Sequence, residues 1–349
     1  MTLRQANGSL RWDVILAFAS VYIIWGSTYL AIRVAIESIP PLLMLGSRFG
    51  VAGGLMYVWL RASGVPAPSR RQWGGATLLG GMMLFVGTGC VAWAEQYIPS
   101  GVAALLVTSV PLWMALLDWL WKGGDRPGLP VFFGFALGFA GVALLIDPAS
   151  VAEGLSGEIL AAFIVLVGSI SWSTASIHAR DIDLPKHPFL ATAMQMFAGG
   201  ALLTLTGLLM GEGQHMDVAL WSMRSFFGWI YLVVFGSFIA FSAYVWLLRQ
   251  ASPAAVSTYA LVNPVVAVFL GWALLSEPLN LRVGGAMLLL ITAVVLITRR
   301  KMQGTRLQNV VDAPRPQDAY TRFTPVRLHS CREIGIPETA LREVDGKEL

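Results

Sequence analysis

The chain is assembled from apolar stretches whose length matches a lipid bilayer. Cut at its Gly, Pro and charged punctuation, it leaves ten segments of about 18 to 24 residues, each able to cross a hydrocarbon layer of roughly 30 Å as a helix. They run Val14–Ile36, Pro41–Leu60, Gln72–Ala94, Pro99–Trp121, Leu129–Ile146, Gly157–Ile177, Pro188–Met210, Ser225–Leu248, Pro253–Leu275 and Leu281–Thr298. Their lengths and the lack of alternating polarity exclude strands, so the expectation is an all-α membrane protein. The charge distribution agrees: 17 of the 44 Lys, Arg, Asp and Glu residues follow Thr298, which leaves 27 for the preceding body. With 56% hydrophobic residues and a mean hydropathy of +0.67, the body has too little polar surface to coat a water-soluble globule. The first segment is too long for the apolar region of a cleaved signal and lacks a small-residue cleavage pattern, so it counts as a span.

Basic residues set the expected orientation. With the N-terminus inside, ten loop Lys and Arg residues of the body lie on the cytoplasmic side, and Arg33, Arg48, Arg224 and Arg282 on the other. Both termini are therefore expected in the cytoplasm. Matches at a steady offset then expose an internal repeat. Trp25-Gly26-Ser27, ending at Arg33, recurs 147 positions later as Trp172-Ser173-Thr174, ending at Arg180. Gln96 and Pro99 recur as Gln250 and Pro253, and Pro111 and Trp119 as Pro264 and Trp272. Five spans per repeat is an odd number, so the second copy enters the membrane from the opposite side. Glu95 on the outer side corresponds to Arg249 on the inner side, and the charge has followed the topology. The expected organisation is a cytoplasmic N-terminus (1–13), two inverted five-helix repeats (14–147 and 157–298) around a central cavity, and a disordered cytoplasmic tail (299–349).

Pro111 and Pro264 fall near the middle of the fourth and ninth spans, where each removes a backbone hydrogen bond to Val107 or Ala260. A single such proline can be a simple kink. Two at matching depth in inverted halves point to helix breaks around a midplane transport site. The nearby side chains are polar and uncharged: Thr108 and Ser109 on one side, Ser257, Thr258, Tyr259 and Asn263 on the other, with Trp25, Ser27, Thr28, Trp172, Ser173 and Thr174 on the first and sixth spans. Hydroxyls and amides can bind a solute or another helix, and indoles can stack on an apolar group or a cation. Tyr259 and Asn263, four apart on one helical face, are the favoured solute contacts.

No Lys or Arg is expected at midplane depth, which disfavours phosphate-bearing solutes. The four histidines lie in loops or the tail, and a proton relay would fall to Asp118, which also stands one turn from Lys122 as an interfacial partner. Arg48 is expected to snorkel outward or to pair with Glu37 or Glu95 as an outer gate, opposite a packing seam of Gly46, Gly50 and Gly54. Arg48, Glu95 and Asp118 are thus the gating or coupling candidates. Cys90 and Cys331 are not expected to pair, and the sequon at Asn7 is inert on an inside terminus. No HExxH or GxSxG pattern and no helix-buried histidine supports an intramembrane enzyme, so neither catalytic residues, metal nor cofactor is expected. A channel fits paired midplane breaks less well than alternating access.

The stretches YIIWGSTYLAIRVAIESIPP (22–41), LLMLGSRFGVAGG around Arg48, AEQYIPSGVAALLVTSVPLW (94–113), GSISWS (168–173) and SPAAVSTYALVNPVVAVFLGW (252–272) resemble the EamA-type permeases of the drug/metabolite transporter superfamily. The resemblance covers about residues 14 to 298. It implies a five-plus-five inverted bundle with a cavity lined near Trp25, Thr28, Trp93, Thr108, Trp172, Tyr244, Tyr259 and Asn263. It also implies a secondary transporter, an exporter of amino acids or related metabolites. A broad-specificity drug efflux carrier is the alternative, and a non-transporting helical sensor a weaker one. The expected partners are a small-molecule solute, the lipid bilayer and protons as a candidate coupling ion, without nucleic acid, for a monomer or homodimer in the cytoplasmic (inner) membrane. The tail departs from the family pattern, so its role is not inherited.

Overall fold

The computed structural model describes residues 12–122, 128–145, 157–251, 256 and 258–311, and every regular element among them is helical. In chain order these are α1 (Trp12–Ala35), α2 (Pro41–Ala62), α3 (Arg70–Ala94), α4 (Ser100–Val107), α5 (Val110–Lys122), α6 (Leu129–Leu145), α7 (Gly157–His178), α8 (Pro188–Leu209), α9 (Met223–Gln250), α10 (Tyr259–Leu275) and α11 (Leu281–Val311). Seven units are long and apolar enough to cross a membrane: α1, α2, α3, the α4–α5 pair, α7, α8 and α9. Three shorter apolar stretches, Phe132–Leu145, Val262–Leu275 and Leu281–Leu296, lie within α6, α10 and α11. Ile23, Leu55, Val58, Phe163, Leu205 and Phe269 stand more than half exposed. Apolar side chains in such numbers on the outside belong against lipid, not water.

The helix starts show how the chain ends its spans. Pro40 and Pro99 precede α2 and α4 and supply no side-chain cap. Carboxylates from distant segments replace it. Glu212 accepts from the N–H groups of Leu42 (3.2 Å) and Leu43 (2.9 Å). Glu277 accepts from Ser100 N–H (2.8 Å), Ser100 Oγ (2.7 Å) and Gly101 N–H (3.0 Å). Each places a negative charge on the positive end of a helix and satisfies donors that the helix geometry leaves free. At α3 the cap is local, a reciprocal Ser69–Gln72 box.

Helix ends are held by arginines in a matching way. Arg33, at the end of α1, donates to the Glu95 carbonyl just beyond α3. Arg180, just beyond α7, donates to the carbonyls of Leu248 (Nε, 3.1 Å) and Ala251 at the end of α9. In both cases a cation meets the negative end of a helix.

Two helices contain wide π turns, Gly81–Thr88 in α3 and Leu232–Phe241 in α9, whose starts are 151 positions apart. In each, a hydroxyl reaches back five residues to a backbone carbonyl: Thr88 Oγ1 to Met83 O (3.4 Å) and Ser237 Oγ to Leu232 O (3.1 Å). Such turns leave carbonyls poorly aligned, and a hydroxyl restores a partner.

Tight packing concentrates between α2 and α8. A Cβ on Gly46 would lie 2.3 Å from Thr204 Oγ1, one on Gly53 2.5 Å from Phe197 N, and one on Gly200 2.6 Å from Gly50 N. The expected Gly46, Gly50, Gly54 seam is thereby corrected. Gly54 has only ordinary contacts, and Gly53, seven residues from Gly46, is the second close approach. The tail differs from expectation at its start: α11 continues to Val311, as its Arg, Lys, Met, Gln and Leu content favours. Residues 312–349, the residue 7 sequon and Cys331 lie outside the described residues.

Candidate functional site

Four aromatic side chains converge where α1, α7, α9 and α10 meet. Trp25 lies edge-on to Trp172 at 5.5 Å and to Tyr259 at 5.4 Å, with Tyr244 at 4.8 Å. Trp172 Nε1 donates to Tyr244 Oη at 3.0 Å, and that hydroxyl also bonds Ser176 Oγ at 2.8 Å. The indole is therefore fixed in orientation, with its face left for apolar contact.

Against this cluster opens a cavity, part of it continuous with the surroundings. Trp25, Thr28, Tyr29 and Ile32 of α1 line it, with Arg48 and Phe49 of α2 and Trp172 and Tyr259 facing them. Both π turns contribute wall: Leu84, Gly87 and Thr88 from one, Gly236 and Phe241 from the other. Gly87 admits the Trp172 ring, which would lie 3.0 Å from a Cβ there. Val107 and Val110 flank the gap between α4 and α5, so the break in the fourth span faces the cavity.

Of the residues expected here, Trp25, Thr28, Trp172 and Tyr259 do line the cavity, and Tyr244 lies buried directly behind the indoles. Three do not. Asn263 is 3% exposed, and its amide, set in the orientation its neighbours satisfy, donates to Tyr22 O (2.9 Å) and Tyr259 O (3.2 Å). It fastens α10 to α1. Thr108 turns its hydroxyl back to Ala104 O at 3.0 Å. Trp93 packs on Tyr97, 4.8 Å between rings, in a separate apolar cluster. Ser257 lies outside the described residues.

The prolines behave unequally. The fourth span is interrupted at Thr108–Ser109, just before Pro111. Pro264 lies inside a continuous α10, so it is no break there. By the sixth helical residue its missing N–H costs one bond, and the chain tolerates it.

The charged candidates are relocated. Arg48 is 3% exposed and pairs with neither glutamate. Glu37 lies 3.8 Å from Arg224, and Arg33 takes the Glu95 backbone. Arg48 Nε instead donates to Ser237 Oγ at 2.9 Å, and its Cζ stands 4.6 Å over the Phe49 ring. A fixed cation therefore does line the cavity, against the sequence expectation, because the wide turn of α9 brings Ser237 and the bare backbone of Gly236 to it. Glu95 is fully buried, with neither carboxylate oxygen hydrogen-bonded. Burial first, then the Glu277 carboxylate, raise its pKa well above the ordinary value, and Arg33 opposes them. Asp118 does not line the cavity, and its proposed partner Lys122 has a side chain outside the described residues.

Comparison with known proteins agrees with this architecture. The EamA-like transporter family pattern matches residues 11–147 and again 159–299. YedA of Escherichia coli (strain K12), described as an uncharacterized inner membrane transporter, is 41% identical over 286 residues, spanning 82% of this chain and 90% of YedA. YvbV of Bacillus subtilis (strain 168), an uncharacterized transporter, is 24% identical over 299 residues, spanning 84% of this chain and 93% of YvbV. One crystal structure shares the fold with a TM-score of 0.59 at 18% identity, covering 83% of this chain and 98% of that one. A cavity walled by spanning helices and two copies of one family pattern identify a membrane transporter, and the chain belongs to the EamA-like transporter family.

Proposed function

We propose that the protein exports small amphipathic metabolites, amino acids or related compounds, across the cytoplasmic membrane by alternating access. Two inverted five-helix repeats, 14–147 and 157–298, would rock about the shared cavity, with both termini in the cytoplasm. The observation that carries this reading is the meeting of Trp25 and Trp172, repeat mates 147 positions apart, at 5.5 Å on the cavity floor. The paired π turns and the matching Arg33 and Arg180 caps support it, because each relates one half to the other by the same kind of offset. Solute contact falls to Trp25, Thr28, Trp172 and Tyr259, while Tyr244 and Asn263 position them.

The test is counterflow in proteoliposomes holding the purified chain, screened with labelled amino acids, organic acids, amines and drugs. Saturable exchange of at least one metabolite that is lost in Trp172→Ala supports the reading. No exchange of any solute by the wild type would remove it. Cysteine labelling at the exposed Gln96 and Arg249 positions from opposite sides checks the inversion separately; labelling from one side would contradict it.

A further inference from the structure

Three aliphatic hydroxyls of the cavity wall are turned back onto their own helices. Thr28 Oγ1 donates to Trp25 O (2.7 Å), Thr88 Oγ1 to Met83 O, and Ser169 Oγ to Val165 O (2.9 Å). Arg48 differs in carrying a charge. Its Nη1 is buried and has no hydrogen-bond partner, and no acidic side chain among the described residues pairs with the guanidinium. A guanidinium keeps its charge at neutral pH, and burying one without a counter-charge is costly. One neutral hydroxyl and one aromatic face do not offset that cost.

The group is also held in place. Ser237 Oγ accepts from Nε while donating to Leu232 O, which ties the guanidinium to the π turn of α9. A Cβ on Gly236 would lie 2.6 Å from Nη2, so the guanidinium packs close against bare backbone. Preorganised, unpaired and facing a cavity, it has the properties of a ligand site. Among the described lining residues it is the one Lys, Arg, Asp or Glu, so the local charge is a single positive one. A monoanionic carboxylate matches a lone fork of donors; a phosphate dianion would call for a second cation.

Building on the carrier reading above, we infer that Arg48 is the carboxylate-binding site of the cavity, and that the solute is an amino acid or other organic acid whose carboxylate meets Arg48 while its apolar part rests on Trp25, Trp172 and Tyr259. The unpaired cation is then a vacancy for the solute's own charge. It also rejects amines that lack an acid group, since these would place a second positive charge beside the first.

The experiment measures binding to the purified full chain by tryptophan fluorescence, using matched pairs: L-leucine and L-leucinamide, L-phenylalanine and L-phenylalaninamide, 3-phenylpropanoate and 3-phenylpropanamide. At least one acid is expected to bind about ten-fold or more tightly than its amide, as a charge-assisted bond provides. Arg48→Gln should erase that ratio, Arg48→Lys should retain part of it, and Gly236→Ala should weaken the acid and leave the amide unchanged. A purely structural Arg48 would weaken acid and amide alike. Equal affinity within every pair, no binding of any acid, or an equal loss for both members in Arg48→Gln overturns the assignment. Inorganic phosphate displacing the bound acid where acetate does not would overturn it in favour of a phosphate site. Acid binding without counterflow would sink the carrier reading and keep the site; counterflow of amides alone would do the reverse.

Discussion

The Trp172 indole donates to the Tyr244 hydroxyl at 3.0 Å, so a side chain that lines the cavity takes its orientation from one that does not. Tyr244→Phe removes this bond and the one to Ser176 while keeping the ring. The expected result is a three- to ten-fold rise in the KM for exchange, roughly the effect of one lost hydrogen bond of about 1 kcal/mol, with the expression level and elution profile unchanged. An unaltered KM would separate the indole's pose from solute binding.

Asn263 holds two backbone carbonyls, of Tyr22 and Tyr259, at a buried position. Asn263→Ala should cost about 1 to 3 kcal/mol, read as a fall in the thermal midpoint of the detergent-solubilised protein. The KM of the surviving protein should stay near normal. A raised KM with an unchanged midpoint would return Asn263 to the list of solute contacts.

Gly53 faces backbone on α8, with Phe197 N 2.5 Å and Ala193 O 2.7 Å from a Cβ built there. Backbone cannot swing aside as a side chain can, so Gly53→Leu should force α2 from α8 and abolish the monodisperse folded peak. Gly54→Ala, with nearest atoms at 3.8 Å, is the control and should behave as wild type. Similar behaviour of the two variants would refute the revised seam.

The pH dependence of stability should report Glu95. Its carboxyl holds a proton to higher pH in the folded chain than in the unfolded one, where 4.5 is the ordinary value. The stabilisation is thus complete below 4.5 and declines as the pH rises toward the folded value, because the buried group must then ionise or the chain unfold. Glu95→Gln removes that decline, so its thermal midpoint should exceed the wild type's increasingly at higher pH. Parallel midpoint curves for the two proteins would show that the carboxyl does not titrate in this range.

Glu277→Gln leaves a hydrogen-bond acceptor at the start of α4 but removes the charge. The expected loss is about 0.5 to 2 kcal/mol in stability, measured by thermal unfolding, with Glu277→Ala at the upper end.

Much of this was legible in the sequence, for identifiable reasons. Spans show as apolar runs because lipid tolerates little else. Trp25 and Trp172 could be paired because repeat mates keep a common offset. Arg48 was misplaced because depth counted along one helix says nothing of its neighbour: the π turn that offers Ser237 and Gly236 has no residue signature of its own. The carbonyl partners of Asn263 were hidden for a different reason. A polar side chain in the first turns of a helix can bond nearby carbonyls or a solute, and periodicity alone cannot rank the two. The glycine seam was shifted because a four-residue spacing looks like a groove, whereas contact with α8 selects positions seven apart.

The borrowed caps on α2 and α4 bear on how such a molecule can be divided. Glu212 and Glu277 both come from beyond residue 157, yet the helix ends they neutralise precede residue 147. The leading portion expressed alone would enter the bilayer with two bare amino ends, and only co-expression with the trailing portion would restore them. A nick in the connecting segment, by contrast, leaves both clasps intact.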